Sequence, residues 1–377
     1  MTASPAVSTA PNRVSTSAFD GSRLRVVLML DIHDGAQQEF LAAYERMCDA
    51  VASVPGHLSD QLCQSIENSS QWLITSEWES APPFLAWVNS EEHIETVKPL
   101  HSCVRDTRSM RYSVLRETTH DGSGIRVETL QTTPRVGDGV VRHALTFTVR
   151  PGTEAEVARH LSEYASPSPQ VDEKTRLRRT SLFMHGNRIV RAVEVEGDLM
   201  AALRHVSRQA EVRAVEEAIN PYLEQERDMS DPQSARIFFT RAALPAVHHI
   251  TAGPDAASAH REGLFLPARP GCGMRLARVL AEQDERAADD PRSPVLGASL
   301  YQRDDIVVRV VDVAGDPDAE PAAVLGLAEP AVRAEVLQLL DTAALDAPQA
   351  LGDDRALAGL LARARMRPLT DRTSEPR

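Results

Sequence analysis

The chain repeats itself at domain length. Arg150-Pro151-Gly152 returns as Arg269-Pro270-Gly271, and Ser181-Leu182-Phe183 returns as Ser299-Leu300-Tyr301. Residues 191–198 return as 309–316, and Val212-Arg213-Ala214 as Val332-Arg333-Ala334, so the offset stays between 118 and 120 residues through all four pairs. A period this long is no solenoid repeat; it marks a duplicated domain. Whatever fold the first copy takes, the second has the same order of elements with which to take it.

In the first copy, residues 142–149 alternate apolar and polar, as a half-buried strand does. Thr153 and Glu156 have capping-box spacing, and the helix they open carries Val157, Leu161 and Tyr164 on one face. Two strands, 177–184 and 188–195, flank the turn His185-Gly186-Asn187. A long helix is expected over 199–222 and a last strand over 235–241. The second copy predicts a strand near Glu262, a helix over 274–284, strands over 296–301 and 306–313, a helix over 321–342 and a final strand over 365–371. Pro368 sends that last strand to an edge.

The N-terminal region follows the same order without visible identity. A strand is expected over 24–32, and Asp34 and Gln37 have capping-box spacing. Phe40, Leu41, Tyr44, Met47, Cys48 and Val51 then form an apolar stripe. Strands over 57–66 and 72–78, a second helix opened by Pro82-Pro83 and running to His101, and a closing strand over 108–116 complete it. A β-α-β-β-α-β unit is the ferredoxin-like plan, with both helices on one face of an antiparallel sheet. The expected class is α+β: three ferredoxin-like modules of the dimeric α+β barrel kind, the second and third a tandem duplication. Those two pair within the chain, which leaves the first to pair with its counterpart in a homodimer. The expected division is a disordered tail 1–21, modules at 22–117, 140–244 and 260–372, and linkers at 118–139 and 245–259.

Composition narrows the function. A net charge of −13 disfavours nucleic acid and anionic membranes, both of which need a basic face. The four cysteines show no C-x-x-C spacing and no H-E-x-x-H occurs, so no metal site is expected. Gly271-Cys272-Gly273 invites a dinucleotide reading, but Leu276 stands where the third glycine belongs, and no cofactor is expected. The N-terminus lacks the basic start and apolar run of a signal peptide, and there is no run of eighteen apolar residues. A cytoplasmic protein with no membrane partner is expected.

The stretch from Pro55-Gly56-His57-Leu58 to Glu77-Trp78-Glu79-Ser80, followed by Phe84, Trp87, Asn89-Ser90 and His93, resembles the antibiotic biosynthesis monooxygenase family. The two repeats resemble the SchA/CurD-like domain at 147–153, at 265–271 and in the strands of Arg191 and Arg309. The resemblance implies a tailoring protein for an aromatic polyketide pigment or antibiotic. The reaction it implies is cofactor-free oxygenation of an anthrone to a quinone, with contact to polyketide synthase components. A cyclase acting without oxygen and a non-catalytic organiser of the biosynthetic complex are the alternatives.

Cofactor-free oxygenation needs a base to deprotonate the substrate and an apolar pocket to hold the resulting anion. His93 is the first candidate base, since an unperturbed imidazole titrates near neutrality. Asn89, four residues earlier on the same expected helix, is placed to hydrogen-bond a carbonyl or enolate. His57 is the second candidate base. Trp78 and Trp87 offer flat walls for a polycyclic ligand, against the plainer reading that they are core. In the repeats, His143 and Asn187 are the candidate binding residues, with His185 expected to be solvated. Arg178, Arg179, Arg204, Arg208 and Arg213 are expected on solvated faces, or against an acyl-carrier phosphopantetheine arm or acidic partner.

Overall fold

The computed structural model describes residues 13–120, 126–225, 227–228, 231–251, 259–347 and 350–374. The chain divides into two compact units. One spans Ser17–Arg135; the other comprises Val136–Arg377 together with the described residues 13–16. A short strand, β1 (Val14–Ser17), joins the second unit's sheet. Part of the expected N-terminal tail is therefore ordered, and residues 1–12 of it lie outside the described residues.

The first unit runs β2 (Leu24–Ile32), α1 (Gln37–Ala52), β3 (His57–Gln64), β4 (Gln71–Trp78), α2 (Ala81–Val88), α3 (Glu91–His101) and β5 (Val104–Ser113). The strands form an antiparallel sheet in the order β3-β4-β2-β5. Alternation along β2 buries Leu24, Val26, Leu30 and Ile32, and leaves Met29 about half exposed on the other face. The stripe of α1 buries Phe40, Ala43, Met47 and Val51 at helical spacing. The turn into β3 needs a glycine. Gly56 has φ +86°, and a Cβ there would sit 2.8 Å from the Pro83 ring at the start of α2.

Three expectations here are corrected. Asp34 caps nothing: the α1 N-cap is Ala36, and Asp34 pairs with Arg105 at 2.8 Å. The helix expected from Pro82 to His101 is two helices. Asn89 ends α2, and Ser90 caps α3 by accepting the His93 N–H at 3.1 Å, with Glu91 and Glu92 in the first turn. Asn89 and His93 therefore do not share one helix. The expected linker at 118–139 carries a hairpin, β6 (Arg116–His120) with β7 (Arg126–Leu130).

The second unit runs β8 (Val140–Thr148), α4 (Glu154–Glu163), β9 (Arg176–His185), β10 (Arg188–Glu196), α5 (Leu199–Ser207), α6 (Ala210–Ile219), α7 (Pro232–Ala242) and β11 (Ala243–Thr251). The second repeat follows as β12 (His260–Phe265), α8 (Gly273–Asp289), β13 (Val295–Arg303), β14 (Ile306–Val313), α9 (Pro321–Leu325), α10 (Pro330–Leu339), α11 (Asp354–Ala364) and β15 (Arg367–Thr373). The strand order is β12-β14-β13-β11-β8-β10-β9-β15. The last strand of each repeat thus lies against the second strand of the other: β11 on β13, and β15 on β9. The seam between β15 and β12 is spanned at Leu264–Arg365, and the Met366 N–H donates to the Gly263 carbonyl at 2.8 Å. The sheet is a nearly closed barrel made from one chain.

The strand expected at 235–241 is helix α7. Phe238 and Ala242, four apart, bury one helical face against Leu145 and Val149. The true strand, β11, falls in the stretch expected as linker at 245–259, of which 252–258 lie outside the described residues. The helix expected at 199–222 breaks between α5 and α6, and the one expected at 321–342 breaks at Gly326 (φ +73°). Thr153 is the N-cap residue of α4, but its hydroxyl donates to the Arg150 carbonyl instead of capping.

Apolar residues of both repeats meet in the lumen: Ala144, Phe183, Val190, Tyr301, Val310 and Met366 belong to one cluster. The duplicated arginines lie outside it. Arg191, partly buried, pairs with Glu216 on α6 at 2.8 Å, and Arg309 pairs with Asp284 on α8, where neither side chain is exposed. Among the described residues, no helix is long and apolar enough to cross a membrane.

Candidate functional site

In the first unit, α2 seats two clusters of the expected site residues. Trp78 ends β4 with its ring 1 % exposed, held by an Nε1–H bond to Ser76 Oγ at 3.0 Å. His57, at the start of β3, meets the Trp78 ring edge-on at 5.1 Å, and Phe84 of α2 meets it at 5.5 Å. The Arg111 guanidinium lies 5.3 Å over the Phe84 ring. His57 Nε2 is 2.9 Å from Asp60 Oδ2, without the alignment of a directed hydrogen bond. The pair sets a carboxylate beside an imidazole at the edge of the Trp78 ring.

The second cluster is Trp87 with His93, ring centroids 5.4 Å apart. Burial pushes His93 down to about 4, with His101 acting in the same direction. Its Nδ1 is buried without a hydrogen-bond partner among the described residues. At neutral pH this ring is an uncharged imidazole with little proton affinity, whereas an effective base has a pKa near the operating pH. Of the two expected bases, His57 is the one with a carboxylate beside it. Asp60 and Arg111 were missing from the expected set, and Phe84 stood only among the residues of the family resemblance; the i, i+3 spacing of His57 and Asp60 hints at Asp60 alone.

The repeats hold their candidates differently. Lumen residue Ala144 alternates with His143 on β8, so His143 is half-buried on the face away from the lumen. Asn187 is a structural tie, its Nδ2 donating to the Val149 carbonyl and to Glu224 Oε1, each at 3.0 Å. His185 is not simply solvated: its Nε2 lies 2.7 Å from the Arg363 carbonyl and its ring 5.2 Å from Phe265. Arg179 is no solvated side chain either, being bound to Asp371 and Asp312. The amides of Gly271, Cys272 and Gly273 form a nest at the start of α8, and Asp305 fills it with hydrogen bonds of 3.0, 3.0 and 3.1 Å. A phosphate would have to displace that carboxylate, which removes the dinucleotide reading.

The first unit is a ferredoxin-like α+β domain with an imidazole and a carboxylate set against aromatic walls. Residues 23–99 match the model of the antibiotic biosynthesis monooxygenase family, and residues 140–252 match the SchA/CurD like domain. The whole chain has relatives. It is 65 % identical over 373 residues to a 42.8 kDa protein in the whiE locus of Streptomyces coelicolor, covering 98 % of this chain and 93 % of that one. It is 62 % identical to protein SchA of Streptomyces halstedii, over 99 % of both chains. It is also 62 % identical to polyketide synthase CurD of Streptomyces cyaneus, over 95 % of this chain and 97 % of that one. The chain belongs to the SchA/CurD family. Among solved structures it is similar to SnoaB, a cofactor-independent oxygenase from Streptomyces nogalater, at 15 % identity and a TM-score of 0.24 over 25 % of this chain and 93 % of that one; a likeness at that level carries no argument.

Proposed function

We propose that the first unit is a cofactor-independent monooxygenase that converts an anthrone-type aromatic polyketide to its quinone in the cytoplasm. The observation that carries this is the His57–Asp60 pair set against the Trp78 ring, inside the stretch that matches the monooxygenase family. The name of the CurD relative supports a polyketide setting. His57 takes the proton from the acidic ring carbon, and Asp60 stabilises the imidazolium. Trp78 and Phe84 flank the carbanion with low-dielectric walls, which favours electron transfer from the substrate to dioxygen. Trp87, Asn89 and His93 bind and orient the ligand on the neighbouring cluster, His93 as a neutral hydrogen-bonding group. His143 and Asn187 fall outside this arrangement.

The open face of the first unit's sheet, with Met29 48 % and Tyr112 51 % exposed, is the face we assign to a second copy of the chain, in a homodimer. The second unit is the part we assign to contact with polyketide synthase components.

The test is anthrone turnover by the full chain carrying His57→Gln, Asp60→Asn or His93→Gln. The expected result is a loss of kcat of roughly a hundredfold for His57→Gln, the low end of the range for a general base, and a smaller loss for Asp60→Asn. His93→Gln should change KM more than kcat. Full activity in His57→Gln would overturn the assignment of the base.

A further inference from the structure

The lumen of the second unit is apolar through its middle; Arg188 and Thr146 lie towards one end, and a larger polar cluster fills the other. There Arg261 Nη1 donates to Glu194 at 2.8 Å and to Ser181 at 3.2 Å, while its Nε and Nη2 bind Asp312 at 2.8 and 2.6 Å. Arg179 bridges Asp371 and Asp312, and Arg142 binds Asp138 at 2.6 Å. Every guanidinium of this end is met by a carboxylate.

The duplication places two serines in equivalent positions, and they have diverged. Ser181 stands opposite Asp371 of β15 and donates to it at 2.8 Å; that carboxylate is committed to Arg179. Ser299 stands opposite His249 of β11, its Oγ 2.9 Å from His249 Nδ1. The next lumen residue is Phe183 in the first copy and Tyr301 in the second. One copy thus ends in a closed ion pair, and the other in an uncharged polar chain. His249 is 7 % exposed, and its Nε2 meets no hydrogen-bond partner among the described residues. A buried polar atom left in that state costs free energy that a bound oxygen would recover.

We propose that this end of the lumen is a second ligand site, in which His249 and Ser299 hold the hydroxyl or keto oxygen of an uncharged, largely apolar molecule such as a phenol. The charge balance sets the class. Three arginines face Asp138, Glu194, Asp312 and Asp371, so no cation is left over for a carboxylate or phosphate. Burial, seconded by Arg142, pushes His249 down to about 3, so its ring is neutral at any working pH. Ala144, Val310 and the Tyr301 ring supply the apolar wall behind it. The site lies in the second unit and stands or falls independently of the His57 reading.

The experiment is a titration of the full chain, isotope-labelled in its histidine rings, with naphthoresorcinol. Hydroxynaphthoate serves as the anionic counterpart. The resonance lost in His249→Gln should be the one that shifts, saturably, with naphthoresorcinol. Ser299→Ala should weaken that binding roughly tenfold, the loss of about one hydrogen bond, and hydroxynaphthoate should bind more weakly than the diol. If His249→Gln does not fold, the smaller change Ser299→Ala assigns the resonance through the hydrogen bond it removes. A His249 resonance that stays still up to the solubility limit, or an affinity unchanged in Ser299→Ala, overturns the site. Hydroxynaphthoate binding as tightly as the diol overturns the uncharged class.

Discussion

Asp284→Ala should be among the most damaging single substitutions in the second unit. Arg309 and Asp284 are both 0 % exposed, and besides this carboxylate the guanidinium has, among the described residues, only the Val324 carbonyl, 2.9 Å from Nε. Removing the acid leaves a full charge in a low-dielectric layer with no counter-ion, at a cost of about 3–5 kcal/mol. Removing both charges is a different perturbation. Asp284→Leu with Arg309→Met exchanges the pair for apolar volume, and buried pairs so replaced often lose about nothing. The double variant should therefore be more stable than Asp284→Ala, although it is the more heavily mutated. The probe matters, because Trp72, Trp78 and Trp87 all lie in the first unit and their fluorescence reports that unit. Urea unfolding followed by far-UV circular dichroism sees the second. With a slope of about 3 kcal/mol per molar urea, the single variant lowers the midpoint by roughly 1–1.7 M. A shift below about 0.3 M, or a double variant less stable than the single, would refute the reasoning.

Other substitutions probe other contacts. His93 is lowered from the ordinary 6.5 to about 4 by burial, so the unfolded chain takes up a proton before the folded one does. Above pH 6.5 the group contributes nothing; from there down to pH 4 it removes stability, by about 3 kcal/mol in all. His93→Gln should flatten the fall of the fluorescence-monitored urea midpoint over that window, and an unaltered slope would contradict the burial of His93. Gly263→Ala sets a methyl 2.8 Å from the Phe183 ring in the lumen and should cost about 1–3 kcal/mol by circular dichroism, as overpacking does. Asp305→Ala strips three amides at the start of α8 of their acceptor and should cost about 1.5–3 kcal/mol in the same assay.

The duplication was legible because buried strands and the arginines beneath them leave little room for drift: Arg191 and Arg309 keep their places, though one pairs with Glu216 and the other with Asp284. The exchange of last strands was not legible. β11 lies in a barrel wall covered on both sides, so Leu244, Pro245, Val247, His248, His249 and Ile250 are all buried and no alternation marks the strand. Read in sequence, Pro245 and the histidine pair look like linker. Residues 235–241 mislead the other way, since adjacent Phe238 and Phe239 suit a strand until Phe238 is seen packed with Ala242 on one helical face. The site was half legible. His57 and Trp78 stood out by type, but Asp60, Phe84 and Arg111 come from three separate elements, and only the fold sets Asp60 beside His57, Phe84 against the Trp78 ring and Arg111 over Phe84.

The measurement that bears most directly on the central claim is oxygen uptake by the chelator-treated full chain with a synthetic anthrone under air, followed together with quinone formation and with no flavin, metal or nicotinamide added. Converting the anthrone methylene to a carbonyl with release of water uses one dioxygen per quinone. The account predicts that stoichiometry, with the rate falling in His57→Gln. Quinone formed no faster than in buffer, or a product formed without oxygen uptake, would contradict the oxygenase; the second result would favour a cyclase.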